Sequence, residues 1–363
     1  MAKLSDRLFA GMAHRGITGD AAQEIVDKLA AFANFGFPES HAVSFAYLVY
    51  SSAWLKLHYP AAFCAGLLDA QPMGFWSPQS LVADARRHGV TVHRPHVDVS
   101  GAQTTLAWGL DGPDRGPAGA PTRQPEVRLG LMSVRGVGEA LAEQVAAGRP
   151  YASVEDVVRR TGIARPQLEA LATAGALDGL PARDGGPDIH GRRPALWAAG
   201  ALAHARADRL PGLVVGEDAP ALPALSPVEE VEADMWATGL SVGATAMELA
   251  RARLDAMGVV TAGRLAGAET DGKVLVGGVV THRQRPESAK GTVFLNLEDE
   301  TGLVNVICSP GAWERWRPVA RGAPALLVRG RIERVDGVVS VVAEKIVPMD
   351  LGPTPVQASR DFR

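Results

Sequence analysis

The run Leu131-Met-Ser-Val-Arg135-Gly136-Val137-Gly138-Glu-Ala-Leu-Ala-Glu-Gln-Val145 carries the strongest mechanistic signal in the chain. It has the form of a helix, a glycine–hydrophobe–glycine turn and a second amphipathic helix. The two glycines lack a Cβ, so the turn can be tight and its backbone can approach a ligand closely. Such a turn brings unpaired amide N–H groups and the positive end of a helix dipole to one point. A phosphate fits that arrangement without any base being read. The expected contact set is Arg135, Gly136, Val137, Gly138 and Arg149, the two arginines adding Coulomb attraction. The competing reading is a packing element whose first helix ends on a glycine. A second hairpin is expected around Thr161-Gly162-Ile163. It lacks the second glycine, so packing against the first is the expected role.

Upstream of this motif the first hundred residues read as helical. Asp20 and Gln23 resemble a capping box, and Ile25, Leu29 and Phe32 mark one apolar face. A helix is expected from about His41 to His58, with Val43, Tyr47, Tyr50, Trp54 and Leu57 at helical spacing, most simply as core. Tyr59-Pro60 ends it, because proline disfavours the helical conformation in the residue before it. Ala61–Leu68 and Ser77–His88 suggest two more helices. Thr104–Trp108 and Glu126–Leu131 read as short strands around a Pro/Gly-rich loop that begins at Asp111. Helical spacing returns from Val134 to Leu177, and Pro181–Glu230 reads as a poorly structured bridge with one helix near Ala195–Ala203.

The last third switches to period two. Val274–Thr281, Thr292–Glu298, Val304–Cys308, Ala325–Ile332 and Val338–Val342 are β-rich, and Asp336-Gly337 suits a tight hairpin. Five strands interrupted by a helix at Pro310–Arg317 outline an OB-fold. Such barrels hold single strands on a basic groove with aromatic platforms. Arg283, Arg285, Lys290, Phe294, Asn296 and Arg329 are the candidates, with protein docking as the rival use.

Bulk composition narrows the class. The chain has 363 residues and a net charge of −3, which does not advertise a nucleic-acid binder. Charge is uneven, however: Gly272–Pro348 holds eleven Lys/Arg against eight Asp/Glu. Local basic surface matters more than the sum. The uncharged run His41–Leu55 is far short of the ~20 apolar residues of a bilayer span, so no membrane partner is expected. Cys64 and Cys308 stand far apart and fit a reducing cytoplasm better than a disulfide or zinc site. His88, His93 and His96 lie close in sequence, but the expectation is surface histidines and no metal. Glu298-Asp299-Glu300 reads as an exposed turn.

Several long motifs resemble one family. Phe32-Ala-Asn-Phe-Gly-Phe-Pro-Glu-Ser-His-Ala42 and Ala53-Trp-Leu-Lys-Leu-His-Tyr-Pro-Ala-Ala-Phe63 resemble the fingers of bacterial C-family DNA polymerases, relatives of the DNA polymerase III alpha subunit. Gln71-Pro-Met-Gly-Phe-Trp-Ser-Pro78, and the residues after it to His88, resemble the error-prone, damage-inducible branch. So does the ending Ser359-Arg-Asp-Phe-Arg363. Arg128-Leu-Gly-Leu131 and Val134–Gly138 are similar to that branch's tandem helix-hairpin-helix, and Leu295–Gly302 to its OB domain.

The resemblance implies a multi-domain α+β chain. Residues 1–101 would be a helical part of the fingers, 102–180 a β-hairpin with tandem helix-hairpin-helix, and 181–230 a bridge. A connecting helical segment at 231–270, the OB-fold at 271–350 and a tail at 351–363 would come next. It implies DNA as partner, in primer-template, duplex and single-stranded form. It also implies a polymerase-like adaptor and a recombinase-like accessory protein, with the sliding clamp reached indirectly. Ser40 and His41 would approach nucleotide or template phosphate in an intact enzyme, the alternative being a helix-start histidine capped by Ser40. Glu232, Met235 and Trp236 sit where replicative relatives carry a clamp peptide, in degenerate form. Mg²⁺ is implied for the intact polymerase and not for this chain, which lacks the palm motif and any Asp-x-Asp pair. Independent polymerisation is therefore not expected.

Overall fold

The computed structural model describes residues 2–34, 39–108, 124–203, 205, 216–352, 354–356 and 358–361. The expected loop from Asp111, the Phe35–Pro38 part of the fingers motif and the last two residues lie outside them. The chain divides into two compact bodies, Met1–Leu57 and His58–Arg363. The division falls well before Gly101, where the sequence alone suggests it.

The first body holds α1 (Ala2–His14), α2 (Asp20–Asn34) and α3 (Glu39–His58, its last residue beyond the division). Its small core joins Met12 of α1 to Ala22 and Val26 of α2. The expected apolar face of α2 is therefore turned: Ile25 and Leu29 are exposed. The amide of Gln23 donates to Asp27 at 2.9 Å, one turn ahead, and not back to a cap. The aromatic set of α3 is corrected too. Tyr47, Tyr50 and Trp54 are exposed along with Val43, Phe45, Leu48, Val49, Leu55 and Leu57. A helix apolar on all sides is built to be buried all round, and this one has no buried residue among those described.

In the second body, Pro60 opens α4 (Pro60–Asp69), whose Ala61, Cys64 and Ala65 pack against Val82 and Ala85 of α5 (Pro78–Arg87). These helices cover a three-stranded sheet ordered β1 (Val92–His93), β3 (Glu126–Arg128), β2 (Thr105–Ala107). The same core takes in Val127 and Leu129, so residues 58–101 pack as one unit with the segment after Glu126.

The second core is helical: α6 (Glu139–Gly148), α7 (Val154–Thr161), α8 (Arg165–Ala174) and α9 (Arg192–Leu202). Part of the expected bridge, Pro181–Glu230, belongs to this core and is not poorly structured. Ala195, Ala198, Ala199 and Leu202 of α9 are within 1% of complete burial. An alanine-rich face reads weakly as hydrophobic, yet it lets helices approach closely. Next comes α10 (Pro227–Thr238), with a reciprocal Ser226–Glu229 capping box. Two hydrogen bonds from Ser226 hold the Glu229 carboxyl below its ordinary range. Inside α10, Asp234 is 3% exposed. It accepts hydrogen bonds from buried Arg192 and from Ser241 Oγ, the latter at 2.7 Å. Arg94 Nε stands 3.5 Å from it.

Two further helices, α11 (Ala246–Ala256) and α12 (Ala262–Leu265), lead into a closed barrel. Its strands are β4 (Lys273–Gln284), β5 (Val293–Asp299), β6 (Gly302–Cys308), β7 (Ala325–Val335) and β8 (Val338–Pro348). Around the barrel they run β4-β5-β6-β8-β7, with α13 (Pro310–Gly322) between β6 and β7 in sequence. Alternation is clean: Val293, Leu295 and Leu297 point in, as do Val304, Val306 and Cys308. The register shifts at Arg329/Gly330. There a Cβ on Gly330 would fall 2.3 Å from the Val342 carbonyl, so the strands meet only because that residue is glycine. Asp336 and Gly337 have φ of 48° and 81°, the doubly left-handed turn of a tight hairpin.

Glu298-Asp299-Glu300 is not the exposed turn expected. Asp299 is 3% exposed and accepts from the amides of Ala262, Thr301 and Gly302. Glu300 receives both nitrogens of an Arg251 fork at 2.6 and 2.9 Å. Glu298 accepts from Ser80 at 2.6 Å and Arg87 at 3.2 Å, docking the barrel on α5.

Candidate nucleic-acid interface

The element before the first hairpin is a single 3₁₀ turn, Leu131–Ser133, shorter than the helix expected. The Val134 amide donates to Leu131 O at 3.0 Å, and the Val137 amide to Val134 O at 3.0 Å. Gly136 has φ of +77°, which favours glycine. Val137, 5% exposed, plugs the turn into the helical core. Gly138 then takes the N-cap of α6 with φ −82° and ψ 170°.

Two features bear on what this turn can meet. No side chain caps α6, and the amides of Gly138, Glu139 and Ala140 have no acceptor among the described residues. The first turn of any helix leaves such groups unsatisfied. Moreover, a Cβ at Gly138 would meet nothing within 4 Å, and its φ is ordinary. Neither crowding nor backbone strain requires glycine there. Exposed Glu139 on the same turn is an opposing charge.

Arg135 is exposed at the lip of the hairpin, its Cζ lying 5.2 Å from the Trp236 ring centroid. No carboxylate within ion-pair distance accompanies it among the described residues. Arg149 is placed elsewhere. It comes directly after the last residue of α6, so the ten-residue helix separates it from Gly138 by about 15 Å. Its guanidinium donates to the Val99 and Ser100 carbonyls at 2.8 and 3.1 Å, pinning that loop.

The second hairpin repeats the backbone of the first. Gly162 has φ of +64°, Ile163 is 4% exposed, and Ala164 caps α8 with φ −78° and ψ 155°. Alanine stands where the first hairpin has its second glycine. Gln167 on α8 lies beside the first hairpin, its Cγ 3.8 Å from where a Gly136 Cβ would be.

The barrel divides its candidate residues into separate places. Arg283 is 7% exposed, its guanidinium bonded to the Ala320 carbonyl at 2.7 Å and to Ala323 O, Ser359 and Asp361. It ties α13 and the C-terminal residues to β4 and leaves the set of DNA candidates. Phe294 and Asn296 face outward from β5, opposite Ile307 and Asn305 of β6. The Asn296 amide donates to Asn305 at 3.3 Å. Arg285 and Lys290 lie in the loop at the end of this face, both exposed. Arg329 is exposed on another flank, paired in register with Lys345.

Ser40 and His41 are exposed in the first turn of α3. Ser40 lies inside the helix, its carbonyl accepting the Ser44 hydroxyl at 2.9 Å, so it is not the cap. His41 stands edge-on to Phe45 at 4.5 Å. Glu232, Met235 and Trp236 lie within helical α10, whose Val231, Asp234 and Ala237 are buried. An extended clamp peptide is not what this segment presents. The three histidines separate: His93 bonds Glu126 at 2.8 Å, His96 the Asp178 carbonyl at 2.8 Å and His88 the Asp84 carbonyl at 2.7 Å. Burial pushes the Cys64 and Cys308 thiols up to about 12, which leaves them protonated at neutral pH. No described helix is long and apolar enough to cross a membrane.

Comparison with known proteins agrees with the two modules. The helix-hairpin-helix motif family matches residues 89–184, and the family of OB-fold nucleic acid binding domains matches residues 274–349. The chain is thus a multi-domain α+β protein joining a helix-hairpin-helix module to an OB barrel. Over its whole length it is homologous to error-prone DNA polymerases, in keeping with a C-terminal portion of that C-family. It is 55% identical to the error-prone DNA polymerase of Nocardia farcinica, covering 100% of this chain and 31% of that protein. Identity is 51% to that of Mycobacterium bovis, with 100% and 32% covered, and 47% to that of Anaeromyxobacter sp., with 100% and 31% covered. The chain therefore spans about a third of the length of these relatives.

Proposed function

We propose that this chain is the DNA-holding region of an error-prone, translesion DNA polymerase working in the cytoplasm in DNA repair. The observation that carries the reading is the exposed α6 N-terminus at Gly138, which no side chain caps and where neither crowding nor a left-handed φ requires glycine. The amides of Gly138, Glu139 and Ala140 would take a phosphate oxygen of the duplex, helped by the helix dipole. Arg135 would add a charged contact. Phosphate contacts set position without reading sequence, which suits an enzyme that must work at any damaged site. On the barrel, Phe294 offers a stacking surface beside Asn296, Arg285 and Lys290 for the single-stranded template. Nucleotidyl transfer and its Mg²⁺ ions belong, on this reading, to the part of the relatives that this chain does not span.

A second reading, docking of accessory proteins such as a polymerase-like adaptor, is favoured by the exposed apolar surface of α3. The two readings part on DNA affinity. Fluorescence anisotropy of labelled duplex, primer-template and single-stranded oligonucleotides across a salt series separates them. Sequence-insensitive binding that weakens with salt, at a log–log slope of roughly −2 to −4, is the expected result. No binding at low salt would leave the docking reading alone.

A further inference from the structure

We infer that Trp236 is a positioning residue for the DNA contact made by Arg135, and that the last turn of α10 braces the hairpin. The inference rests on the proposed DNA-holding role and deepens it. The first hairpin lacks a full helix on its entry side, having only the Leu131–Ser133 turn. What holds it there is α10. The Arg135 amide donates to the Ala237 carbonyl at 2.7 Å, and the Arg135 guanidinium lies over the Trp236 ring. Behind this contact α10 is itself fixed through Asp234, bonded to Arg192 of α9 and to Ser241.

The choice of an aromatic partner matters chemically. A carboxylate would neutralise the arginine and occupy its N–H donors. A ring attracts the cation through its π face and leaves the five N–H donors of the guanidinium unclaimed. Arg135 is thus held in place with its charge and its donors available to a phosphate. This also accounts for Trp236, which is 48% exposed and adds little to the core.

The test compares wild type, Trp236→Leu, Trp236→Phe, Arg135→Ala and the Arg135→Ala/Trp236→Leu double variant. Each is titrated against the same labelled duplex over a salt series, with thermal melts alongside. Trp236→Leu is expected to weaken binding about three- to ten-fold, the scale of one cation–π contact. Its salt slope should fall by close to that of Arg135→Ala, and Trp236→Phe should restore most of the loss. The double variant should bind no worse than Arg135→Ala alone, since both lie on one path. A Trp236→Leu protein that melts normally and binds like wild type would overturn the positioning role and leave the DNA-holding reading intact. So would additive losses in the double variant. Wild type that binds no DNA would overturn both.

Discussion

Replacing Asp234 with alanine is expected to destabilise the His58–Arg363 body by about 3–5 kcal/mol. Asp234 and Arg192 are 3% and 8% exposed and bonded to each other. Removing the carboxylate strands the guanidinium in a site with one carbonyl acceptor, Glu230 O at 3.2 Å. Ser241 Oγ loses its acceptor as well. Breaking one half of a buried pair costs more than removing the pair, because the remaining charge has no solvent. The Asp234→Ala/Arg192→Met double variant should therefore recover part of the loss. Urea unfolding followed by circular dichroism checks this, and a cost below about 1 kcal/mol would mean that Arg192 escapes to water.

The second large effect is on binding far more than on stability. Gly138→Ala should cost no more than about 1 kcal/mol, the penalty of alanine at an N-cap, since the added methyl meets nothing within 4 Å and φ is −82°. Its affinity for duplex DNA should nonetheless fall by at least ten-fold, because the methyl lies where the phosphate must approach the amides. Gly136→Ala makes the contrasting control. Its φ of +77° costs an L-residue roughly 1 kcal/mol, so both stability and binding should suffer. Equal affinities for Gly138→Ala and wild type would remove the hairpin from the DNA contact.

The barrel was the most legible part of the sequence. Alternation in β5 and β6, the Asp336-Gly337 turn and the helix after Cys308 each act locally, and local signals survive without knowledge of the rest. The glycine hairpin was legible for the same reason. The brace on it was not, since nothing in the spacing around Arg135 points to a tryptophan on a helix much later in the chain. Arg283 shows the opposite failure. An arginine on a barrel strand reads as a groove cation, and only the tertiary fold brings the Ala320 and Ala323 carbonyls onto it. Tyr47, Tyr50 and Trp54 misled because helical spacing tells which residues share a face but not what covers it.

The most direct test of the account is a titration of the ¹⁵N-labelled protein with two unrelated duplexes, monitored through amide resonances. Backbone donation to phosphate predicts that the Gly138, Glu139 and Ala140 amides move most. They should move downfield, alike for both duplexes, and return as salt is raised. Shifts confined to the barrel, or hairpin amides that stay unmoved while DNA binds, would contradict it.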